Sequence, residues 1–301
     1  MKKVLGVVAV LGVVGVGGFY YANGKVENEL NASIKKSNES SLGTKVEGKV
    51  STNILLGTLK IDDLRIKNGE ETQQGNLAIS GLKFYNQENV FSDKVSITLN
   101  DYKSFADQNY TSNNSFTIAK LGDGKINLQA TSAFVGSAAE GNISQDYNAN
   151  VSGVGDLYET LTKDLSRSLV HNTPPENPMA YIGKVSGAKL DSLTLKVNND
   201  RFLKNTLKES AKSQDPTLND GELLTKMNEY VEAQIKQNVP EVNGAQSKVL
   251  EFYRTDKATL VVNFTNKTNK SLVDAYSSML STGNAANVIA TNYDIKIDLE
   301  K

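Results

Sequence analysis

The longest apolar run of the chain lies at its start. Residues Val4 to Tyr21 carry no charge and follow directly on Lys2 and Lys3. A helix of that length spans about 27 Å, enough to cross the hydrocarbon core of a bilayer, and the lysines are expected on its cytoplasmic side. The pattern predicts a transmembrane anchor within residues 1–22. A cleaved signal peptide is the alternative, although no Ala-x-Ala cleavage site is found here.

The next segment, residues 23–42, has an apolar side chain every four positions. Val26, Leu30 and Ile34 would share one face of a helix. The spacing therefore predicts a helical stalk that leaves the membrane.

Alternating apolar and polar residues follow and predict short strands. Leu59 and Ile61 are out of phase with Leu64 and Ile66 across Asp62-Asp63, which predicts a β-bulge at the two aspartates. Further alternating runs are Leu77–Ile79, Val95–Ile97–Leu99 and Ile126–Leu128–Ala130. A turn is predicted at Gly122-Asp123-Gly124-Lys125. Strands with one apolar face, joined by turns, are typical of an antiparallel meander.

Leucines four residues apart predict a helix over about 155–170, which closes a β-rich domain of residues 43–170. Residues 171–178 contain three of the five prolines and are the predicted domain boundary. Residues 179–301 are predicted to form a second domain, a β unit interrupted by helices. Its strands are expected around 193–197, 260–264 and 295–299, and its helices around 201–214, 217–238, 244–253 and 269–281. The fold class predicted for the whole chain is α+β.

Composition narrows the classes of function. The net charge of −1 provides no basic field for nucleic acid. The chain has no cysteine, so disulfides, thiol catalysis and cysteine-ligated metals are excluded. It also has no tryptophan.

Motifs that could carry chemistry are few. His171 is the only histidine and lies in the proline-rich boundary. Ser33 and Lys36 match the Ser-x-x-Lys pattern of acyl-transfer enzymes, but no Ser-Asp-Asn or Lys-Thr-Gly partner is found. Asp62-Asp63 is not part of a calcium-binding loop. No catalytic, cofactor-binding or metal-binding residue is therefore predicted.

One modification motif occurs three times. Asn31, Asn109 and Asn142 each stand in an acidic-x-Asn-x-Ser/Thr pattern. The Asn-x-Ser/Thr triplet is an oligosaccharide acceptor in exported chains, and the acidic extension resembles the sequon of bacterial periplasmic oligosaccharyltransferases. These three asparagines are candidate glycosylation sites, although a chain rich in Asn and Ser also produces such triplets by chance.

The opening residues, MKKVLGVVAVLGVVGVGGFYYANGKVENEL, resemble the YdgA-like family of bacterial envelope proteins, whose function is not established. The stretch LTLKVNNDRFLK from Leu193, with the helices and the strand that follow, is similar to the later part of such proteins. GTLKIDDLRIKN and LAISGLKF, within residues 50–100, resemble AsmA-like proteins. That second resemblance implies an inner-membrane-anchored β structure linked to lipid and outer-membrane homeostasis.

These observations favour a non-enzymatic protein anchored in the inner membrane through residues 4–21, with its bulk in the periplasm. It would act as a scaffold or accessory module for another envelope protein, with the helix over 217–238 as its partner surface. One alternative is a lipid- or amphiphile-binding protein of AsmA-like type, whose apolar sheet face forms a groove for phospholipid. An enzyme without a recognisable motif is the other. If the signal peptide is cleaved, the chain is instead secreted to the periplasm.

Overall fold

The structure, a computed structural model, describes residues 27–28, 31–32, 34–35, 38–39, 44–53, 55–68, 71–83, 91–104, 107–137, 140–160, 162–163, 183, 186–283 and 285–301. The predicted anchor within residues 1–22 and the proline-rich boundary at 171–178 lie outside these ranges. No helix within them is both long enough and apolar enough to cross a membrane.

Ten antiparallel strands follow one another in the sheet in chain order. They are β1 (Thr44–Asn53), β2 (Thr58–Asn68), β3 (Glu71–Leu82), β4 (Phe91–Ser104), β5 (Asp107–Gly122), β6 (Lys125–Val135), β7 (Asn142–Ser152), β8 (Lys189–Asp200), β9 (Lys257–Asn266) and β10 (Tyr293–Glu300). Five helices with defined bounds accompany the later strands: α1 (Phe202–Gln214), α2 (Asp220–Asn238), α3 (Ala245–Arg254), α4 (Leu272–Thr282) and α5 (Ala285–Asn292). The predicted meander and the α+β class are confirmed.

The chain divides into two compact units. The first comprises residues 1–127 and 154–185, and the second comprises residues 128–153 and 186–301. Residues 128–153, which the sequence pattern places in the first domain, thus group with the second unit.

The first unit buries one face of β1 to β4. Leu59, Ile61 and Leu77 are almost wholly inaccessible to solvent, and Ile34 packs against the same cluster. The predicted bulge is confirmed, because the β2–β3 register shifts between Ile61 and Leu64. It restores Leu64 to the buried face after two exposed aspartates.

Helical residues 157–160 pack on this unit through Tyr158. Its hydroxyl donates a hydrogen bond of 2.5 Å to the backbone carbonyl of Ser92. Burial, and then the nearby Asp93 carboxylate, raises the pKa of Tyr158 to about 12. Next to Tyr158 in the chain, Glu159 bonds through its carboxylate to the Lys120 ammonium, which lowers the pKa of Glu159.

The second unit buries alternate residues of β8 to β10 beneath the helices. Its helix α2 begins with a capping box, in which the Asn219 side chain accepts from the backbone N–H of Gly221 and Glu222 while Glu222 bonds back to Asn219. The spacing of Leu224, Met227, Val231 and Ile235 predicts one apolar stripe along this helix, and that prediction is wrong at one position. Leu223, not Leu224, joins Met227, Val231 and Ile235 in the core, because steps of four keep these four residues on the face packed against α1 and α3.

Several elements carried no clear pattern in the sequence. The strands β1, β5 and β7 and the short helix α5 were not predicted individually. Strand β5 is rich in Asn, Ser and Thr, so its apolar alternation is weak. Its place in the sheet depends on backbone pairing with β4.

Candidate functional site

The second unit has a polar sheet face opposite the helix-covered one. Asn198 on β8 donates a hydrogen bond to the Ser144 hydroxyl on β7 and accepts one from the Thr259 hydroxyl on β9, both at 2.9 Å. Glu300 on β10 is the register partner of Thr259 and continues the row. Side chains from four strands are thus aligned on one surface.

An open cleft of about 670 Å³ lies over this row. Ala133 and Val135, two residues apart on β6, form an apolar strip along it. Asp200, Lys257, Glu300 and Lys301 supply its charges. The cleft therefore combines an apolar wall with a hydrogen-bonding floor.

Two of these four charges are already compensated. Asp200 accepts from Arg201 Nε at 3.0 Å, and Lys301 bonds to Glu251. Within the described ranges, neither Lys257 nor Glu300 has an ion-pair partner. The cleft thus offers one cation and one anion beside apolar surface, a combination that suits a polar head group attached to an apolar body.

The outer strands of the sheet are capped by side chains. On β1, Asn38 and Glu27 bond to backbone groups of Val46 and Thr52. On β10, the Asn243 amide donates to the Ile295 carbonyl at 3.2 Å, and Lys248 Nζ donates to the Ile297 carbonyl at 2.5 Å. Capped edge groups cannot pair with an added strand, so a partner is not expected to bind by strand addition at these positions.

Helix α4 exposes apolar side chains on one face. Val273, Tyr276 and Leu280 follow the i, i+3, i+7 spacing of a helix face, and Leu272 adjoins them. All four are exposed to solvent. The only charged residue of the helix is Asp274, which bonds to the N-terminal cap Ser271.

The three glycosylation candidates differ in their surroundings. Asn31 lies in a helical segment and is exposed. Asn109 lies in β5, and its side chain is not among those described. Asn142 begins β7, and its side-chain oxygen accepts from the backbone N–H of Gly136 at 3.1 Å. Only Asn31 therefore combines a described side chain, exposure and a position outside the sheet.

The remaining sequence candidates do not form a site. His171, Ser33 and Lys36 lie outside the described residues. Asp63 belongs to the bulge, where its backbone N–H donates to Asn76 at 3.0 Å. In the described part of the chain, no group of three or more His, Cys, Asp or Glu side chains could hold a metal ion.

The cleft and the exposed face of α4 had no signal in the sequence. The cleft residues come from five strands and were not grouped by any motif. The apolar residues of α4 fit a core-facing stripe equally well, and only the packing reveals them at the surface. No family model matches the chain, and no curated protein matches it.

Proposed function

We propose that this chain is a non-enzymatic protein anchored in the bacterial inner membrane through residues 4–21, and that its periplasmic bulk is a scaffold or accessory module for another envelope protein. The observation that supports this proposal is the exposed apolar face of α4, formed by Leu272, Val273, Tyr276 and Leu280. Contiguous apolar surface of this kind marks interaction sites.

Helix docking suits this chain better than strand addition. The edge strands have capped backbone groups, and the apolar face of α2 is buried in its own core. Helix α4, by contrast, presents bulky apolar side chains and no charge beyond its first turn. Such a face fits an apolar groove on a partner. The partner surface is therefore assigned to α4 rather than to the helix over 217–238.

The test is site-specific photo-crosslinking in cells. A benzophenone amino acid replaces Tyr276 on α4 or, as the matched control, Tyr230 on α2; the two tyrosines are 62% and 61% exposed. We expect a discrete protein adduct at position 276 that is absent at position 230 and is lost in the Leu280→Asp background. Equal labelling at both positions, or adducts with lipid alone, would contradict the proposal.

The cleft supports a second candidate function, the binding of a lipid or another amphiphile. Lys257 and Glu300, which have no ion-pair partner among the described residues, could hold a zwitterionic head group beside Val135. A benzophenone amino acid at Val135 should then label phospholipid, and one at Val261, on the polar face of β9, should not. Adduct formation should fall in a Lys257→Ala background. Failure to label phospholipid at position 135 would remove this candidate.

A further inference from the structure

The β1–β2 hairpin ends in two leucines that are almost entirely exposed. Leu55 is 97% exposed and Leu56 is 72% exposed. Single exposed leucines are common on protein surfaces, but two in succession at the tip of a hairpin form a protruding apolar surface. We call Leu55 and Leu56 the hairpin tip.

The hairpin tip is held in place by its surroundings. The backbone N–H of Leu56 donates to the Asn53 side chain at 3.0 Å. Gly57 has a φ of +62°, and its carbonyl accepts from the backbone N–H of Leu82 on β3 at 2.9 Å. The two leucines are therefore presented by a turn that is tied to the neighbouring strand.

The chain that leaves the predicted anchor passes close to this tip. Glu27 Oε1 accepts a hydrogen bond of 2.8 Å from the backbone N–H of Thr52, three residues before Leu55. Glu27 lies only six residues after Tyr21, the last residue of the predicted membrane-spanning segment. Six residues span at most about 20 Å when fully extended. Anchorage through residues 4–21 thus keeps the hairpin tip near the bilayer surface.

Three lysines lie at the same end of the sheet as the tip. Lys60 is the third residue of β2, Lys83 directly follows β3, and the backbone carbonyl of Lys94 lies against Gly81 near the end of β3. None of the three has an ion-pair partner among the residues that the structure describes. Among the described residues, Asp93 near the start of β4 and Glu27 beside Thr52 are acidic groups at this end of the sheet. Lysines around an apolar tip complement the phosphates of an anionic membrane surface.

We infer that Leu55 and Leu56 insert into the surface of the bilayer in which the chain is anchored, with Lys60, Lys83 and Lys94 facing the lipid phosphates. This inference rests on the proposed membrane anchorage. The occupant is lipid rather than a protein groove because the short tether from Tyr21 keeps the tip near the membrane. The contact would give the first unit a second attachment point and a defined orientation on the membrane.

The absence of tryptophan from the chain provides a direct test. The full-length Leu55→Trp variant, reconstituted in liposomes, carries a single tryptophan whose fluorescence reports its depth. We expect a blue-shifted emission and about a twofold loss of intensity with brominated lipids, because tryptophan settles at the membrane–water interface. Phe116→Trp, in the middle of β5, is the matched control and should respond to neither. A double variant that combines Leu55→Trp with Leu56→Glu should lose most of the quenching.

The experiment distinguishes a failure of the proposed anchorage from a failure of the proposed insertion of the hairpin tip. If alkaline washing releases the protein from the liposomes, the proposed anchorage fails and this inference fails with it. If the protein is retained but the tryptophan of the Leu55→Trp variant emits as in water and is not quenched, the anchorage stands and the inference alone is overturned. Equal quenching at positions 55 and 116 would also overturn it, because the contact would then not be specific to the tip.

Discussion

The side-chain amide of Asn38 pairs with both backbone groups of Val46. Asn38 Nδ2 donates to the Val46 carbonyl and the Val46 N–H donates to Asn38 Oδ1, each at 2.7 Å. Val46 lies on β1, the first strand of the sheet. Asn38 thus makes the two hydrogen bonds that a residue of a further strand would make, and it closes the edge at that point.

Replacing Asn38 by alanine should destabilise the protein and open this edge. Two backbone groups lose their partner, so we expect the free energy of unfolding to fall by about 1–3 kcal/mol and self-association to increase. Urea unfolding and light scattering measure the two effects. Asn31→Ala, a change at an exposed position earlier in the chain before β1, is the control. Equal behaviour of the two variants would show that the Asn38 amide does not protect the edge.

Leu223 and Leu224 are neighbours in α2 with opposite surroundings, at 2% and 41% exposure. Leu223→Ala removes a fully packed side chain and should cost about 2–5 kcal/mol. Leu224→Ala should cost less than about 1 kcal/mol. Denaturant unfolding of the two variants measures the difference, and similar losses would show that both leucines contribute to the core.

Gly57 and Gly122 both have positive φ angles, +62° and +85°. Alanine at either position adopts a left-handed conformation, which costs about 1–2 kcal/mol. At Gly57 the new Cβ would also lie 2.1 Å from the Leu82 carbonyl, whereas at Gly122 nothing lies within 4 Å. We therefore expect Gly57→Ala to destabilise the protein more than Gly122→Ala does. Equal losses in thermal or urea unfolding would mean that the hairpin shifts to accommodate the Cβ.

The raised pKa of Tyr158 predicts a loss of stability in alkali. The folded chain keeps the phenol proton up to about pH 12, whereas the unfolded chain releases it near 10.0. The protonated Tyr158 phenol therefore makes its full contribution to the free energy of unfolding below about pH 10. That contribution, about 2–3 kcal/mol, is lost as the pH rises towards 12. The Tyr158→Phe variant cannot release this proton, so it should lose less stability between about pH 9 and about pH 11.

The control for this comparison is Tyr276→Phe, because Tyr276 is exposed on α4. The Tyr276→Phe variant should lose as much stability between about pH 9 and about pH 11 as the chain without substitutions does. Tyr158→Phe also removes the hydrogen bond to Ser92 and should be about 1 kcal/mol less stable at neutral pH. If the unmodified chain and Tyr158→Phe lose the same stability in alkali, Tyr158 does not control this transition.

Glycosylation should favour Asn31 over Asn142 in a host that has a periplasmic oligosaccharyltransferase. Asn31 is exposed in a helical segment, whereas Asn142 begins a strand and its side chain is hydrogen-bonded to Gly136. Mass spectrometry of the chain without substitutions and of the Asn31→Gln and Asn142→Gln variants measures the glycan occupancy of each asparagine. If Asn31, Asn109 and Asn142 all carry no glycan in such a host, the prediction is refuted.

Much of the fold could be predicted because burial leaves a period in the sequence. Strands that bury one face alternate apolar and polar residues, as in Leu77–Ile79 on β3 and Ile295–Ile297 on β10. The bulge at Asp62-Asp63 could be predicted from the sequence because it breaks that alternation. Strand β7 has few apolar residues and pairs with β8 through its backbone, so no comparable period reveals it.

The chain by itself determined the meander, the α+β class and most of the helices, since these follow from local periods and turn residues. Only the tertiary structure decided which apolar residues remain uncovered. Leu223 and Leu280 carry the same side chain in similar helical patterns, yet one is buried and the other exposed. The cleft and the capped edges likewise join residues far apart in the chain, because burial and pairing depend on which elements meet in space and the sequence period records only local spacing.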